Sequence, residues 1–171
     1  MISILKAGEK DAALLATLAK TTFIESHGNS ASKDDISFYV TEKYAESVLK
    51  DELSNSANHY YLIYVDEQPA GFSKIVFNTP TGFDGYQDIA KLERLYLLHR
   101  FYDLKLGAAL LQFNIQLSKE HHQKGIWLYV WTENTRAVKF YLKAGFRIIG
   151  SYDFKLSETH SNPNHRMLLE I

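Results

Sequence analysis

The chain has 171 residues, 46% of them hydrophobic, and its 19 basic and 20 acidic side chains give a formal net charge of -1 at pH 7. This length can bury one substantial hydrophobic core, so we expect a single domain over residues 1–171. A nearly neutral chain has no general field to attract nucleic acid or anionic lipid, so any anion-binding site must be local. The absence of cysteine excludes disulfides, thiolate metal ligands and a cysteine nucleophile.

The apolar runs of the sequence are short. The N-terminal segment MISILKAGEKD lacks the apolar stretch of a signal peptide, and no later run approaches the roughly eighteen residues of a membrane span. We therefore expect a cytoplasmic protein that binds neither membranes nor nucleic acid.

The first third of the chain is predicted to form a strand followed by helices. Residues 1–6 are an apolar segment of strand length, and after Gly8 apolar residues recur at helical spacing as far as Thr22. The polar segment at 27–32 ends that helix. Residues 33–55 then indicate one or two further amphipathic helices.

Strands and one long helix follow. The runs at 59–65 and 70–77 are rich in strand-forming residues and predict an antiparallel hairpin, while the proline and glycines of 78–88 predict a loop. Residues 92–98 predict a strand, and a helix with one apolar face follows it. The continuously apolar run at 126–131 is typical of a strand buried on both faces.

The last elements are a helix and two strands. Asn134 is placed as the N-cap of the helix and Gly145 ends it. A strand is predicted at 146–156, a polar loop at 157–165 and a final strand at 166–171. The alternation of strands and helices indicates an α/β sandwich of three layers around a mixed sheet.

Two segments of the second half carry a recognisable motif. NTRAVKFYLKAGF, at 134–146, resembles the N-x-x-A-x-x-F-Y-x-x-x-G-F signature of the GCN5-related N-acetyltransferase (GNAT) superfamily. LYLLHRFYDLKLGAALL, at 95–111, stands where that superfamily has its coenzyme A motif: a strand end, then Gln or Arg, two residues, Gly, one residue, Gly or Ala, and a helix. Together with TTFIESHG, LERLYLLHRF and GSYDFKLSETHSNPNHRML, these segments are most similar to the bacterial PaiA-type branch of spermidine and spermine acetyltransferases.

The resemblance implies both a fold and a reaction. The fold is a GNAT-like three-layer α/β/α sandwich whose mixed central sheet has a splay between strands 4 and 5. The reaction is the transfer of an acetyl group from acetyl-CoA, a co-substrate, to a primary amine by direct attack in a ternary complex, without a metal. A small-molecule acceptor is favoured, with a polyamine as one candidate.

The coenzyme loop departs from the family pattern at two of three positions. Tyr102 stands at the Gln or Arg position, Lys105 at the first glycine, and Gly107 keeps the last position. A phosphate cradle at a helix N-terminus is built from backbone N–H groups, which any residue except proline supplies. The cradle can therefore survive both changes. The alternative is an ordinary connection between strand and helix, with Lys105 solvated.

The resemblance also implies which residues contact the coenzyme. These are Leu95, Tyr96, Leu97, Tyr102, Asp103, Leu104, Lys105, Leu106, Gly107, Ala108, Asn134 and Tyr141. Backbone N–H groups at 95–97 would hold the oxyanion of the tetrahedral intermediate.

Tyr141 and Glu93 are the candidate catalytic residues. In the family the tyrosine that matches Tyr141 protonates the departing thiolate, and a phenol of pKa about 10 is close enough to a thiol of about 8.5 for that transfer. Otherwise Tyr141 is a packing aromatic beside Phe140. Glu93 stands where relatives place a carboxylate that relays the amine proton. Glu25, Tyr39 and His27 are the other candidate bases.

The remaining polar clusters have ordinary explanations. His121, His122, His160 and His165 lack the spacing of a metal site and are expected to be solvated. The first helices carry several carboxylates where the family builds its acceptor wall, and a charged helix face explains them better than a polyamine site. They are Glu25, Asp34, Asp35, Glu42 and Glu46.

A different class of function also fits the altered loop. The chain could be a non-catalytic acyl-CoA-binding or regulatory module that keeps the fold and has lost transfer. Tyr141 favours the enzyme over this module. A homodimer is compatible with family habit and with the apolar final strand.

Overall fold

The computed structural model of the chain describes residues 1–82 and 85–171, and a mixed sheet runs through it. Within these ranges the sheet has seven strands, in the spatial order β1-β2-β3-β4-β5-β7-β6. They are β1 (Ile2–Lys6), β2 (His59–Val65), β3 (Gln68–Val76), β4 (Ala90–Leu97), β5 (Gly125–Trp131), β6 (Arg147–Lys155) and β7 (Ser161–Glu170). Residues 83 and 84 of the predicted loop lie outside the described part of the chain.

Helices cover both faces of the sheet and complete the three layers that the sequence predicts. They are α1 (Ala12–His27), α2 (Lys33–Lys43), α3 (Glu46–Ser54), α4 (Leu106–Glu120) and α5 (Thr135–Lys143). Buried side chains of α1 to α3 and of the start of α4 form one core cluster with β2 and β3, while the rest of α4, α5 and the β4–β5 region share a second. Among the described residues, no helix combines the length and apolarity needed to cross a membrane.

The pairing between β4 and β5 ends early. These strands run parallel and pair only at Ala90 with Ile126 and at Lys91 with Trp127. All the other neighbouring strands are antiparallel and pair over five or more residues. Beyond Lys91 the two strands separate, which confirms the predicted splay between strands 4 and 5.

A β-bulge in β4 adjoins this splay. Lys74 of β3 pairs with Arg94, whereas the next residue, Ile75, pairs with Leu92, so Glu93 has no partner in β3. A bulge bends its strand and changes the direction of the side chains that follow it. As a result, Glu93 and Arg94 both reach ion-pair partners on the α1–α3 face.

The end of the chain differs from the sequence prediction. Residues 161–165, expected in a polar loop, belong to β7, which pairs with both β5 and β6. The prediction was wrong there because polar residues normally indicate a loop, whereas Asn162 and Asn164 are buried in strand positions beside a cavity. The segment 33–55 forms two helices, α2 and α3, divided at Tyr44 and Ala45.

Gly71→Ala should destabilise the fold by about 3 kcal/mol. A Cβ at Gly71 would lie 2.2 Å from the Tyr96 carbonyl oxygen and 2.6 Å from Leu97 Cδ2, so β3 and β4 could not keep their spacing. The matched control is Gly107→Ala, whose Cβ would meet only Leu97 and Phe140 side-chain atoms at 3.5 and 3.6 Å. Urea unfolding midpoints measure both variants, and an unchanged midpoint for Gly71→Ala would contradict the strand geometry.

Candidate active site

A cavity of about 800 Å³ occupies the splay between β4 and β5. It reaches through the sheet, and each end has its own wall. On the α4 side the wall comes from the segment before α4, from the start of α4 and from α5. On the α2 side it comes from α1, α2, α3 and the sheet strands.

The segment before α4 contains a residue, Lys105, in a backbone conformation that is usual for glycine. A 3₁₀ turn at His99–Leu104 ends at Lys105, which takes the left-handed backbone conformation with φ 56° and ψ 22° and forms the N-cap of α4. Residues other than glycine seldom adopt this backbone conformation, because their Cβ atom crowds the neighbouring carbonyl oxygen. Lys105 therefore has the backbone geometry for which a glycine is normally selected.

The residues expected to form the coenzyme loop divide into two groups. Tyr102, Lys105, Gly107 and Ala108 line the cavity. Asp103, Leu104 and Leu106 do not, and Leu106 is completely buried in the core.

Cations gather around this wall. The Arg136 guanidinium lies 4.1 Å from the centre of the Tyr102 ring, in cation–π geometry, and its Nη2 donates to the Tyr102 carbonyl oxygen at 3.5 Å. Lys105 and Lys143 also line the cavity on the α4 side. Three positive charges thus line the part of the cavity that contains the N-terminus of α4, where backbone N–H groups already favour an anion.

The floor of the cavity is the free edge of β4. Leu95, Tyr96 and Leu97 line the cavity and pair with β3 on one side, whereas β5 has already diverged on the other. Within the described ranges, the backbone groups of β4 that face the gap therefore have no strand partner. Such groups are available to a ligand that enters the splay.

Tyr141 projects from α5 into the same cavity. Its side chain packs edge-on against Phe140 and Phe146, with ring centres 5.1 and 5.3 Å away. Among the described residues the hydroxyl has no hydrogen-bond partner, and burial raises the pKa of Tyr141 above that of a free phenol. Asn134 is the N-cap of α5, and its side-chain oxygen accepts from Ala137 N at 3.3 Å.

Glu93 lies at the bulge, on the α2 side. Its carboxylate is 2.7 Å from Lys74 Nζ and 3.8 Å from Lys91 Nζ. The Lys74 side chain is only 7% exposed, so its ion pair with Glu93 is largely shielded from water.

A second carboxylate, Glu52 of α3, ties this region together. Its Oε2 accepts from Lys74 Nζ and from Arg94 Nη1, each at 3.1 Å, and from the Tyr60 hydroxyl. Burial acts to raise the pKa of Glu52, but Arg94, Tyr60 and Lys74 together outweigh it and lower the pKa. Arg94 also lies over the Tyr44 ring, with its guanidinium carbon 5.1 Å from the ring centre.

The other candidate bases are placed less favourably. Glu25 lies outside the cavity lining and accepts from the His99 backbone N–H at 2.8 Å. Tyr39 and His27 line the cavity, but burial raises the pKa of Tyr39 and lowers that of His27 to about 4. Tyr39 is therefore a protonated phenol at neutral pH, and His27 is a neutral but weakly basic imidazole.

Sequence reasoning missed several residues of the α2 side. Asn162 and Asn164 of β7 and Tyr129 and Trp131 of β5 line the cavity there, as do Lys74, Lys91 and Arg94. The sequence carries no strand signal at the start of β7, because every residue from 161 to 166 except Pro163 is polar and nothing alternates with the period of a strand.

The structure locates the carboxylates of α2 and α3 and one of the four histidines. Asp34, Asp35, Glu42 and Glu46 lie outside the cavity lining, which agrees with a charged helix face. The expectation that His160 is solvated was wrong, because its Nε2 is 2.9 Å from both the Ser30 carbonyl oxygen and Asn162 Oδ1.

Comparison with known proteins identifies a matching protein family. The family model described as "Acetyltransferase (GNAT) family" matches residues 24–146. Among curated proteins, the chain is 25% identical to an uncharacterised N-acetyltransferase of the pepI 3′ region of Lactobacillus delbrueckii subsp. lactis, over 92% of this chain and 91% of that one. It is 28% identical to the spermidine N(1)-acetyltransferase of Thermoplasma acidophilum, over 86% and 89% of the two chains.

Solved structures give the same fold. The crystal structure of the PaiA N-acetyltransferase from Thermoplasma acidophilum, in complex with coenzyme A, superposes with a TM-score of 0.81 at 23% identity and covers 100% of this chain and 99% of that one. An acetyltransferase of the GNAT family from Streptococcus pneumoniae superposes with a TM-score of 0.71 at 25% identity, and each chain is covered completely.

His27 should make the stability of the protein depend on pH. Its pKa falls from 6.5 to about 4 on burial, so protonation favours the unfolded chain. The contribution is complete above pH 6.5 and decreases as the pH falls toward 4, by on the order of 3 kcal/mol. Urea unfolding between pH 7 and pH 4 should show a smaller loss for His27→Phe, which keeps a ring beside Phe23 but cannot titrate. Equal losses in both proteins would contradict this assignment.

Proposed function

The chain belongs to the acetyltransferase (GNAT) family, and we propose that it transfers an acetyl group from acetyl-CoA to a primary amine of a small molecule by direct attack in a ternary complex. One observation carries this proposal. A single cavity joins the N-terminus of α4, the free edge of β4 and the hydroxyl-bearing ring of Tyr141. These are the groups needed to hold an anionic coenzyme, polarise a thioester carbonyl and protonate a thiolate.

The α4 side fits coenzyme A. Its phosphates would lie on backbone N–H groups from Lys105 to Ala108, because a helix N-terminus favours anions. The side chains of Lys105, Arg136 and Lys143 add positive charge. The thioester would then occupy the gap beside residues 95–97, where backbone N–H groups can stabilise the oxyanion.

Tyr141 is proposed as the general acid. Its raised pKa keeps the hydroxyl protonated at neutral pH, and the hydroxyl has no competing partner among the described residues. The same desolvation that disfavours a phenolate also disfavours a buried thiolate, so the two proton affinities rise together. Proton transfer from Tyr141 to the leaving sulfur is therefore not opposed by the burial of the site.

Glu93 is proposed as the group that receives the amine proton, directly or through water. An aliphatic amine of pKa about 10 is mostly protonated at pH 7 and cannot attack until it loses a proton. The carboxylate of Glu93 lies at the cavity wall, on the side of the sheet away from α4 and α5, and Lys74 fixes its position.

The finer assignments remain proposals. A polyamine is a candidate acceptor because one relative is named a spermidine N(1)-acetyltransferase. A single domain, a cytoplasmic location and a homodimer stay predictions from the sequence. The rival function, a coenzyme-binding module without transfer, draws support from the altered positions Tyr102 and Lys105 but leaves Tyr141 and Glu93 without a purpose.

Tyr141→Phe should lower kcat by about 10²-fold or more and leave acetyl-CoA binding nearly unchanged, because only the proton donor is removed. The measurement is release of the coenzyme A thiol with a panel of amines, together with calorimetric titration of acetyl-CoA. Equal turnover in wild type and variant would refute the role of Tyr141. Acetyl-CoA binding without thiol release on any amine would favour the rival function.

Gly107→Val should weaken acetyl-CoA binding at least about tenfold without unfolding the protein. The Cβ itself meets Leu97 and Phe140 at ordinary contact distances, and both of these residues line the cavity. The two methyl groups of valine would therefore extend into the space assigned to the coenzyme. Gly107→Ala serves as the control with a smaller effect, and unimpaired binding by Gly107→Val would place the coenzyme elsewhere.

A further inference from the structure

The α2 side of the cavity carries an excess of positive charge. Among the residues that the structure describes, two carboxylates, Glu52 and Glu93, line it. Four cations line it with them, namely Lys43, Lys74, Lys91 and Arg94. This local excess stands out in a chain whose formal net charge is -1.

Both carboxylates are already engaged with cations of the protein. Glu52 accepts from Lys74 and Arg94, and Glu93 lies 2.7 Å from Lys74. Neither is left as an unpaired negative charge that could bind a distant ammonium group of a ligand. A polyamine bound here would bring further positive charges into a region where cations already outnumber anions.

Lys91 is partly buried, and unlike Lys74 and Arg94 it has no carboxylate within hydrogen-bond distance among the described residues. In the part of the chain that the structure describes, its closest carboxylate oxygen, in Glu93, is 3.8 Å from Nζ, beyond hydrogen-bond distance, and this ammonium receives no hydrogen-bond partner there. The side chain is 24% exposed, and Nζ lies 5.0 and 5.2 Å from the ring centres of Trp127 and Tyr129. An ammonium group with free donors is thus held against a partly desolvated aromatic wall.

The surroundings of Lys91 act against its charge. Burial is the largest influence that lowers its pKa, and Lys74, Arg94 and Arg166 add repulsion, while Glu93 opposes them. A bound anion would relieve this repulsion and fill the empty donor positions of the ammonium group. Tyr129, which lines the cavity, would offer such an anion a flat apolar surface at one side.

We infer that the amine acceptor carries a carboxylate, which binds Lys91 while the amino group reaches Glu93 and the gap between β4 and β5. This inference rests on the proposed function, because it names the class of acceptor for the same reaction. It favours amino acids and related amino carboxylates over polyamines. Lys91 is then a residue that determines specificity, while the proton transfers remain with Glu93 and Tyr141.

The two tryptophans of the chain give a direct binding assay. Trp131 lines the cavity and the Trp127 ring centre lies 5.0 Å from Lys91 Nζ, so tryptophan fluorescence reports on this region. The protein would be titrated with glycine, β-alanine and L-lysine, with the carboxamide of each, and with spermidine. Each titration would be run with and without coenzyme A. We expect at least one amino carboxylate to saturate at a concentration about tenfold or more below that of its carboxamide and of spermidine.

Variants at Lys91 test the assigned contact. Lys91→Gln should abolish the preference for the carboxylate, Lys91→Arg should retain most of it, and Lys91→Glu should reverse it toward the carboxamide. Lys119→Gln, an exposed lysine of α4 away from the cavity, is the control and should behave like wild type. In turnover assays Lys91→Gln should raise KM for the amino carboxylate by about tenfold and change kcat much less.

The outcomes separate this inference from the proposed function. If carboxamides or spermidine bind or react as well as the amino carboxylates, or if no amino carboxylate perturbs the fluorescence, the inference is overturned even though acetyl transfer stands. Persistence of the carboxylate preference in Lys91→Gln would overturn it as well. Failure of acetyl-CoA to bind would instead refute the proposed function, and the fluorescence titrations without coenzyme would still decide whether Lys91 binds a carboxylate.

Discussion

The early end of pairing between β4 and β5 is the constraint from which the rest of the site follows. A continuous sheet would satisfy every backbone donor and acceptor internally and leave no opening through its centre. Pairing that stops at Lys91 and Trp127 leaves the backbone of residues 92–97 facing an open gap. The two parallel strands are joined through α4, so the start of that helix stands beside the same gap.

Ion pairs hold β4, the strand that borders the gap, against β3. Glu52 of α3 links Lys74 of β3 to Arg94 of β4, and Glu93 shares Lys74 at the bulge. Such buried ion pairs contribute little net stability, because desolvation offsets their attraction, but they restrict the positions that a strand can take. In this protein they hold the bulged part of β4 against β3 while β5 diverges. The network therefore serves the shape of the cavity more than the stability of the fold.

The sequence predicted the parts of the site that depend on local conformation. The two ends of α5, at Asn134 and Gly145, and the positions of Gly107 in α4 and Tyr141 in α5 follow from short patterns whose geometry is set within a few residues. The end of α4 was not predicted in this way: Gly125 suggested a helix stop, but α4 ends at Glu120 and Gly125 begins β5. The α2 side could not be predicted in this way, because Lys91 and Asn164 come together only through pairing of β4 with β5 and of β5 with β7. Polar residues in β7 indicated a loop when judged alone. Only the neighbouring cavity explains why a strand there carries buried asparagines.

Lys105 has a left-handed backbone conformation at a position where the family motif has glycine. The left-handed backbone conformation, not the glycine itself, orients the first N–H groups of α4, and Lys105 adopts that conformation with φ 56°. The departure from glycine has an energetic cost of about 1 kcal/mol or more in backbone strain, and it places a cation at the mouth of the α4 side. Lys91 is the corresponding cation on the α2 side, so each side of the sheet has a lysine at the cavity. Positive charge in a chain of net charge -1 is concentrated where two ligands would enter, which argues that each of them brings negative charge to the cavity.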